Sequence, residues 1–231
     1  MSRIAVISIG IGVLALATGM PGANAQVTKQ GDAYLFRLKY TKGQKMAYDV
    51  VSSVQMPGGQ GTMEVSIPMA MTVKDVTGKI STVQIDVGPM LMNGKPGPQP
   101  KRTMEVKLDD RGKTVGGGTP GMQGVNTQLP DKPLKIGESF TSTNSMNIGG
   151  QPLSVKSVSR FTGIQKMGGR TVATLATTAT ASGAMVVKGS GTGYIDISDG
   201  SLVSMTMNQE MTMKQGAQSQ TMKNVVKVTR K

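Results

Sequence analysis

The chain has 231 residues and a net charge of +13, and it contains 19 methionines but no histidine, cysteine or tryptophan. Without histidine and cysteine, the sequence lacks the commonest general base, the commonest metal ligand and the strongest nucleophile. We therefore expect a protein that is not an enzyme, has no cofactor and no metal site, and is stable without disulfides.

Residues 1–25 have the features of a secretory signal peptide. Arg3 is the positively charged start, residues 4–17 form an apolar run, and Ala23-Asn24-Ala25 is a small-residue cleavage site. The apolar run is short for a transmembrane helix, although an uncleaved membrane anchor is the alternative. We expect a mature chain that starts at Gln26, has no transmembrane segment and is exported to the periplasm or the exterior.

The first half of the mature chain alternates between apolar and polar residues, as β-strands do when one face is buried. Pro68 lies within one alternating run and has no amide hydrogen, which predicts an edge position or a bulge. Residues 88–100 are rich in glycine and proline and predict a loop. The predicted strands cover residues 34–40, 46–56, 63–73, 83–87 and 104–108.

The second half continues the same pattern after residues 129–133. Aspartates precede glycines in the predicted hairpin turns 109–112 and 198–200, and setting up these turns is the expected role of Asp109 and Asp199. No stretch of the mature chain has helical periodicity over 11 residues. Further strands are predicted in a stretch that ends near residue 148, and in residues 153–161, 171–181, 185–188, 193–197 and 222–228.

Residues 201–214, SLVSMTMNQEMTMK, show the alternation most clearly. Serine, threonine, asparagine, glutamate and lysine occupy one face of the predicted strand. A helix would scatter these residues around its circumference, so the pattern predicts a strand with a methionine-lined inner side. The apolar face carries Val203, Met205, Met207, Gln209, Met211 and Met213.

Methionines on two predicted strands are the candidate ligand-binding residues. Methionine is flexible and fills irregular space, so packing in an ordinary core is the alternative. Thioethers also bind soft ions such as Cu(I), but sites of that kind usually add the histidine or cysteine that this chain lacks. The candidates for contact with an apolar ligand are Met69, Met71, Met205, Met207, Met211 and Met213.

These patterns predict an all-β fold, in which a large antiparallel meander forms a curved sheet, a half-barrel or a sandwich. We expect one domain over residues 26–231, with two halves at 27–115 and 129–231 joined by a glycine-rich linker at 116–128. Both halves place a glycine turn before two strands and end in an Asp-x-Gly hairpin. Duplication of one β unit explains this order, but any meander of short strands would also resemble it.

The positive charge is spread along the chain rather than concentrated in one segment. Removal of residues 1–25 eliminates only Arg3, which leaves a strongly basic mature chain. Such a charge favours contact with anionic surfaces, including an anionic polymer of the cell envelope. A solvated face without any ligand is the alternative, and nothing indicates a specific nucleic-acid partner.

The predicted signal peptide and three further segments resemble a family of exported bacterial proteins that is known only as a domain of unknown function. The three further segments are LKYTKGQKMAYDV, LPDKPLKIGESF and GYIDISDGSLVSM, and Phe140 stands where such proteins often have a tryptophan. The arrangement of long strands is also similar to the open, curved sheets of periplasmic lipoprotein carriers. That second resemblance implies a sheet that holds a lipid or another hydrophobic ligand.

Two functions are therefore expected from the sequence. The first is a non-catalytic envelope protein that binds an apolar or amphiphilic ligand, or an anionic envelope polymer. The second is a structural or interaction protein of the envelope that has no small ligand.

Overall fold

The computed structural model describes residues 25–56, 61–116, 129–148, 151–183, 185–198, 201–215 and 218–231. In the first half, the strands are β1 (Ala25–Gln30), β2 (Ala33–Leu38), β3 (Lys45–Gln55), β4 (Thr62–Thr77), β5 (Ile80–Val87), β6 (Leu91–Met92), β7 (Lys95–Pro96) and β8 (Arg102–Leu108). In the second half, they are β9 (Leu134–Lys135), β10 (Ser139–Ile148), β11 (Gln151–Met167), β12 (Arg170–Gly183), β13 (Met185–Asp196), β14 (Leu202–Gln215) and β15 (Gln218–Arg230).

The strands form an open 12-stranded sheet and a separate 3-stranded sheet. The main path of the large sheet runs β10-β11-β12-β13-β14-β15-β3-β4-β5-β8, and the short β6–β7 hairpin attaches to β4. Neighbouring strands are antiparallel throughout. The predicted all-β fold with a large antiparallel meander is therefore confirmed.

The two halves of the chain join where the last strand pairs with the first long one. β15 lies against β3, in a register that runs from Lys223 opposite Gln55 to Arg230 opposite Tyr48. The backbone continues this contact beyond β15, because the amide of Lys231 donates to the carbonyl of Ala47 at 3.0 Å. A single sheet thus extends across both halves.

The 3-stranded sheet, ordered β1-β2-β9, covers one face of the large sheet. The rings of Tyr34 and Phe36 from β2 meet the ring of Phe161 from β11 edge-on, at centroid distances of 5.3 and 5.2 Å. Phe36 and Phe161 are fully buried, as aromatic side chains at the centre of a core are expected to be. We call the covered face of the large sheet the inner face, and the opposite face the outer face.

A polar row interrupts the apolar inner face on three neighbouring strands. Ser52 of β3 donates its hydroxyl to Oδ1 of Asn224 on β15 at 2.7 Å. Asn224 in turn donates its amide to Oε1 of Gln209 on β14 at 3.3 Å. On one side of this row is the main apolar cluster, and on the other is a small cluster of Val54 and Met222.

Val73 and Phe161 occupy matching positions in the two halves. Each accepts a hydrogen bond from the amide of a turn glycine, Gly43 or Gly137, and each donates its own amide to the residue after that glycine. A register shift to the next strand directly follows both residues. The two halves therefore share this local geometry, while their origin by duplication stays a prediction.

The structure corrects the expectation for Pro68. It lies on β4, an interior strand, opposite Asp49 of β3. Its carbonyl accepts a hydrogen bond from the amide of Gly88 at 2.8 Å, at the interruption between β5 and β6. The N–H and C=O groups of one strand residue point to the same side, so the nitrogen of Pro68 also faces this interruption. Its lack of an amide hydrogen therefore costs the sheet no hydrogen bond between β3 and β4.

Three further details differ from the sequence-based expectations. The predicted loop over 88–100 contains the β6–β7 hairpin, with Asn93 in a left-handed conformation at its turn. β13 is one continuous strand rather than two short ones. At the start of β14, Leu202 pairs with Ile195 and Ser204 pairs with Tyr194, so Val203 is the extra residue of a bulge and leaves the methionine face.

Two predicted segments fall mostly outside the described residues: the signal peptide, of which residues 1–24 lie outside, and the linker, of which residues 117–128 lie outside. The described part of the chain contains no helix that is long and apolar enough to cross a membrane.

Candidate functional site

The predicted methionines lie on the inner face of the large sheet. Met205 and Met207 of β14 are each 5% exposed and belong to the main apolar cluster, together with Met69 and Met71 of β4. β15 and β3 separate the two pairs of methionines in the sheet order. The inner face therefore brings four of the candidates into one packed cluster.

The other two candidates lie farther along β14. Met211 is buried opposite Met222 of β15, on the far side of the polar row that contains Gln209. The backbone of Met213 pairs with Met185 and Gln220, but its side chain lies outside the described residues.

Glycines on β13 let this strand approach β14 closely. Gly191 pairs with Met207, and a Cβ added to Gly191 would lie 2.8 Å from the Cα of Met207. Gly189 has more room, because its added Cβ would be 3.4 Å from the nearest atoms, one of which is Cγ of Gln209. Ser190, between these two glycines, therefore lies in the interior of a continuous strand.

A groove of about 660 Å³ lies on the outer face, where the two halves of the chain meet. It crosses β13, β14, β15, β3 and the start of β4. Most of the lining side chains come from strand positions that alternate with the buried ones, so they point away from the core. These lining residues are Ser53, Gln55, Thr62, Lys188, Ser190, Asn208, Glu210, Lys223 and Val225.

Two cross-strand rows set the chemistry of the groove. In the first row, Glu210 of β14 lies opposite Lys188 of β13 on one side and opposite Lys223 of β15 on the other. In the second row, Asn208 lies opposite Ser190 and Val225. A charged row therefore runs beside an uncharged polar row across adjacent strands.

The two groove lysines have exposed side chains. Neither Lys188 nor Lys223 forms an ion pair within 4.0 Å with a carboxylate of the described residues. Their register opposite Glu210 nevertheless gives a favourable cross-strand arrangement of charges. Both ammonium groups can therefore donate hydrogen bonds to an anionic ligand, and each carries three N–H donors.

Ser53, Ser190 and Asn208 add uncharged donors and acceptors to the same groove. Such groups suit the hydroxyl groups of a sugar, while the lysines suit carboxylate, sulfate or phosphate. Among the described residues, no three Asp or Glu side chains lie close enough together to hold a metal ion. The groove therefore offers two positive charges together with uncharged hydrogen-bond donors and acceptors.

No family model matches the chain, and no curated protein matches it either.

The sequence did not reveal this groove as a site. Lys188, Glu210 and Lys223 lie on three strands, and each looks like an ordinary solvated residue in its own segment. Their proximity depends on the order β13-β14-β15, and the remaining wall depends on the pairing of β15 with β3. The only local signal is the alternation that places lysine or glutamate opposite the buried face of each strand.

Proposed function

We propose that this protein is a non-catalytic, exported protein of the cell envelope that binds an anionic polysaccharide in the outer-face groove. One observation carries the proposal. Lys188 and Lys223 point into a groove that also offers hydroxyl and amide groups, and neither lysine is paired with a carboxylate of the described residues. The strongly basic composition of the chain supports the same class of ligand.

The spacing of Lys188 and Lys223 indicates which kind of anionic polymer the groove would bind. Lys188 and Lys223 lie on strands that flank β14, so their backbones are about 10 Å apart, which is twice the usual strand spacing. Glu210 lies between them and would repel an anionic group placed midway. The groove therefore favours a chain with separated anionic groups and hydroxyls between them over a continuous phosphate backbone.

Binding of dextran sulfate, with uncharged dextran as the comparison, tests this function. The double substitution Lys188→Gln and Lys223→Gln should weaken binding of dextran sulfate by at least about tenfold, because hydrogen bonds to charged groups contribute about 1.5–3 kcal/mol each. Isothermal titration calorimetry at about 150 mM salt, where long-range attraction is screened, gives the affinities.

The double substitution Lys107→Gln and Lys166→Gln is the matched control. It removes the same charge from exposed positions on β8 and β11 that do not line the groove. Equal losses of affinity in the two double variants would mean that general positive charge, and not the groove, attracts the polymer.

Binding of an apolar or amphiphilic ligand stays a separate prediction. The β1-β2-β9 sheet packs over the inner face, so a ligand that contacts Met205 or Met207 would have to displace part of this cover. Analysis of lipid that co-purifies with the protein before delipidation tests that prediction. Absence of lipid would favour the polysaccharide or a purely structural role.

A further inference from the structure

The large sheet has two edges, and the β10 edge is the less protected one. β10 pairs with β11 and with no other described strand. Its ten residues, SFTSTNSMNI, contain no charged residue and no proline. Natural sheets usually protect an exposed edge with charges, prolines or bulges, because free N–H and C=O groups can pair with another strand.

The opposite edge, β8, has this protection. Its sequence RTMEVKL alternates charged with uncharged residues over much of its length. The returning chain also covers its end, where the amide of Val115 donates to the carbonyl of Lys107 at 2.8 Å. The two edges therefore differ in their capacity to accept a strand.

The hydrogen bonds between β10 and β11 show which backbone groups face the free edge. Phe161 donates its amide to the carbonyl of Glu138 at 2.9 Å, and Ser139 lies opposite Arg160 in the register. In an antiparallel ladder the bonded positions alternate, so Phe140 and Ser142 bond to β11. Ser139, Thr141 and Thr143 consequently direct their N–H and C=O groups away from β11.

The matching geometry of the two halves indicates that the edge of β10 can pair with another β-strand. The turn glycines Gly43 and Gly137 precede β3 and β10 by the same distance, and both contact the next strand in the same way. The side of β3 that faces away from β4 pairs with β15. The equivalent side of β10 has no partner strand among the described residues.

We propose that the free edge of β10 pairs antiparallel with β10 of a second copy of this chain, around a twofold axis. An uncharged edge suits this occupant, since a twofold contact sets each residue against a residue of the same strand and would bring like charges together. In one such register, Thr143 lies opposite Thr143 of the second copy. Every odd-numbered position from 139 to 147, whose N–H and C=O groups face the free edge, then has a partner, and Thr141 pairs with Ser145.

Contacts between hydroxyl side chains on neighbouring strands already occur within this sheet. Ser142 and Ser157 are 2.7 Å apart, and Ser159 and Thr177 are 2.9 Å apart. A Thr143–Thr143 contact across the twofold axis repeats this arrangement on the outer face.

The positive charge of the chain does not prevent the contact. The nearest basic side chains are Lys156 and Arg160 of β11, which are opposite Thr143 and Ser139. With Thr143 opposite itself, Ser139 lies opposite position 147, which sets Arg160 farther from its counterpart than Lys156 is from its own. Lys156 is separated from its counterpart in the second copy by three strand spacings, or about 14 Å. This distance exceeds the screening length of about 8 Å at physiological salt.

The mass of the intact protein in solution tests the proposal. Size-exclusion chromatography with light scattering at about 100 μM should give the mass of two chains. Thr143→Pro should give the mass of one chain, because it removes an edge-directed amide without breaking a bond to β11. Thr143→Lys should weaken the dimer at least tenfold, because it places two like charges opposite each other. This second variant tests the proposal if the proline variant does not fold.

Oxidative cross-linking tests the register independently, since the chain has no cysteine of its own. Thr143→Cys should form a disulfide-linked dimer, whereas Thr178→Cys, which is exposed on the outer face of β12, should stay uncross-linked. A wild-type mass of one chain would overturn the proposal. A dimer that survives in folded Thr143→Lys, or cross-linking only at position 178, would also overturn it by showing that another surface is used.

Discussion

Asn224 donates its side-chain amide to Oε1 of Gln209, across β15 and β14, in the interior of a methionine-rich core. The pair is almost completely buried, and Ser52 extends it to β3. Nε2 of Gln209 is buried without a hydrogen-bond partner among the described residues. Asn224 therefore has hydrogen-bond partners on both neighbouring strands, while Nε2 of Gln209 at the end of the row has none. Substitutions in the row test how much these hydrogen bonds contribute to stability.

Asn224→Leu should lower the free energy of unfolding by about 2–4 kcal/mol, because it leaves the Ser52 hydroxyl and the Gln209 carbonyl oxygen buried without Asn224, and each loss costs about 1–3 kcal/mol. Combining it with Ser52→Ala and Gln209→Met should recover at least half of this loss, since no polar group of the row then remains. Urea denaturation gives both values. A triple variant less stable than Asn224→Leu alone would contradict this account of the row.

Met207 and Thr206 are adjacent in sequence but lie on opposite faces of β14. Met207 is 5% exposed on the inner face, whereas Thr206 is exposed on the outer face. Met207→Asp should cost several kcal/mol, because it buries a charge without a partner. Thr206→Asp should change stability by about 0.5 kcal/mol. Denaturation midpoints measure both effects, and equal losses would contradict the assignment of the two faces.

The close approach of β13 to β14 predicts a difference between two glycines of the same strand. Gly191→Ala should cost about 1–3 kcal/mol, since its Cβ would lie 2.8 Å from the backbone of Met207 and one strand must move. Gly189→Ala should be nearly neutral, because the nearest atoms would be at 3.4 Å. Thermal unfolding of the two variants measures the difference, and a larger loss at position 189 would show that the contact at 191 does not restrict the strand.

Tyr40 predicts a loss of stability in alkaline solution. Burial, and secondarily the neighbouring Tyr48, raises the pKa of the Tyr40 hydroxyl above its ordinary value. The unfolded chain releases this proton near pH 10 while the folded chain keeps it, so stability is full below about pH 10 and falls above it. From pH 10 to 11, the wild type should lose about 1 kcal/mol more than Tyr40→Phe. Chemical denaturation at the two pH values measures these losses. Equal losses of stability in the wild type and in Tyr40→Phe would show that the pKa of Tyr40 is not raised in the folded protein.

The sequence predicted the faces of the long strands well, because burial on one side leaves a period of two. Met46, Val50, Val65, Ile67 and Val226 are all buried as their alternation indicates. The pattern failed where a residue leaves this period. Val203 is the extra residue of a bulge, and the glycines of β13 gave no apolar pattern from which a continuous strand could be predicted.

The groove could not be predicted in the same way, because it depends on pairings between distant parts of the chain. Gln55 and Lys223 are direct neighbours on β3 and β15, although 168 positions separate their numbers, 55 and 223. Local composition carries no signal for such a pairing, which is fixed by the order of the whole meander. The positive charge indicated an anionic partner, but only the order of the strands places Lys188 and Lys223 around one groove.

Protection of a thiol in the groove tests the binding of an anionic polysaccharide most directly. Ser190 is an exposed residue of the groove, and the chain has no natural cysteine, so Ser190→Cys creates a single reactive reporter there. Thr103→Cys, an exposed position on the edge strand β8 and outside the groove lining, is the matched control, because β14, β15, β3, β4 and β5 separate β8 from Ser190 on β13. Saturating dextran sulfate should slow thiol labelling of Ser190→Cys at least about tenfold and leave Thr103→Cys nearly unchanged. Equal labelling rates with and without dextran sulfate in Ser190→Cys would contradict binding in the groove.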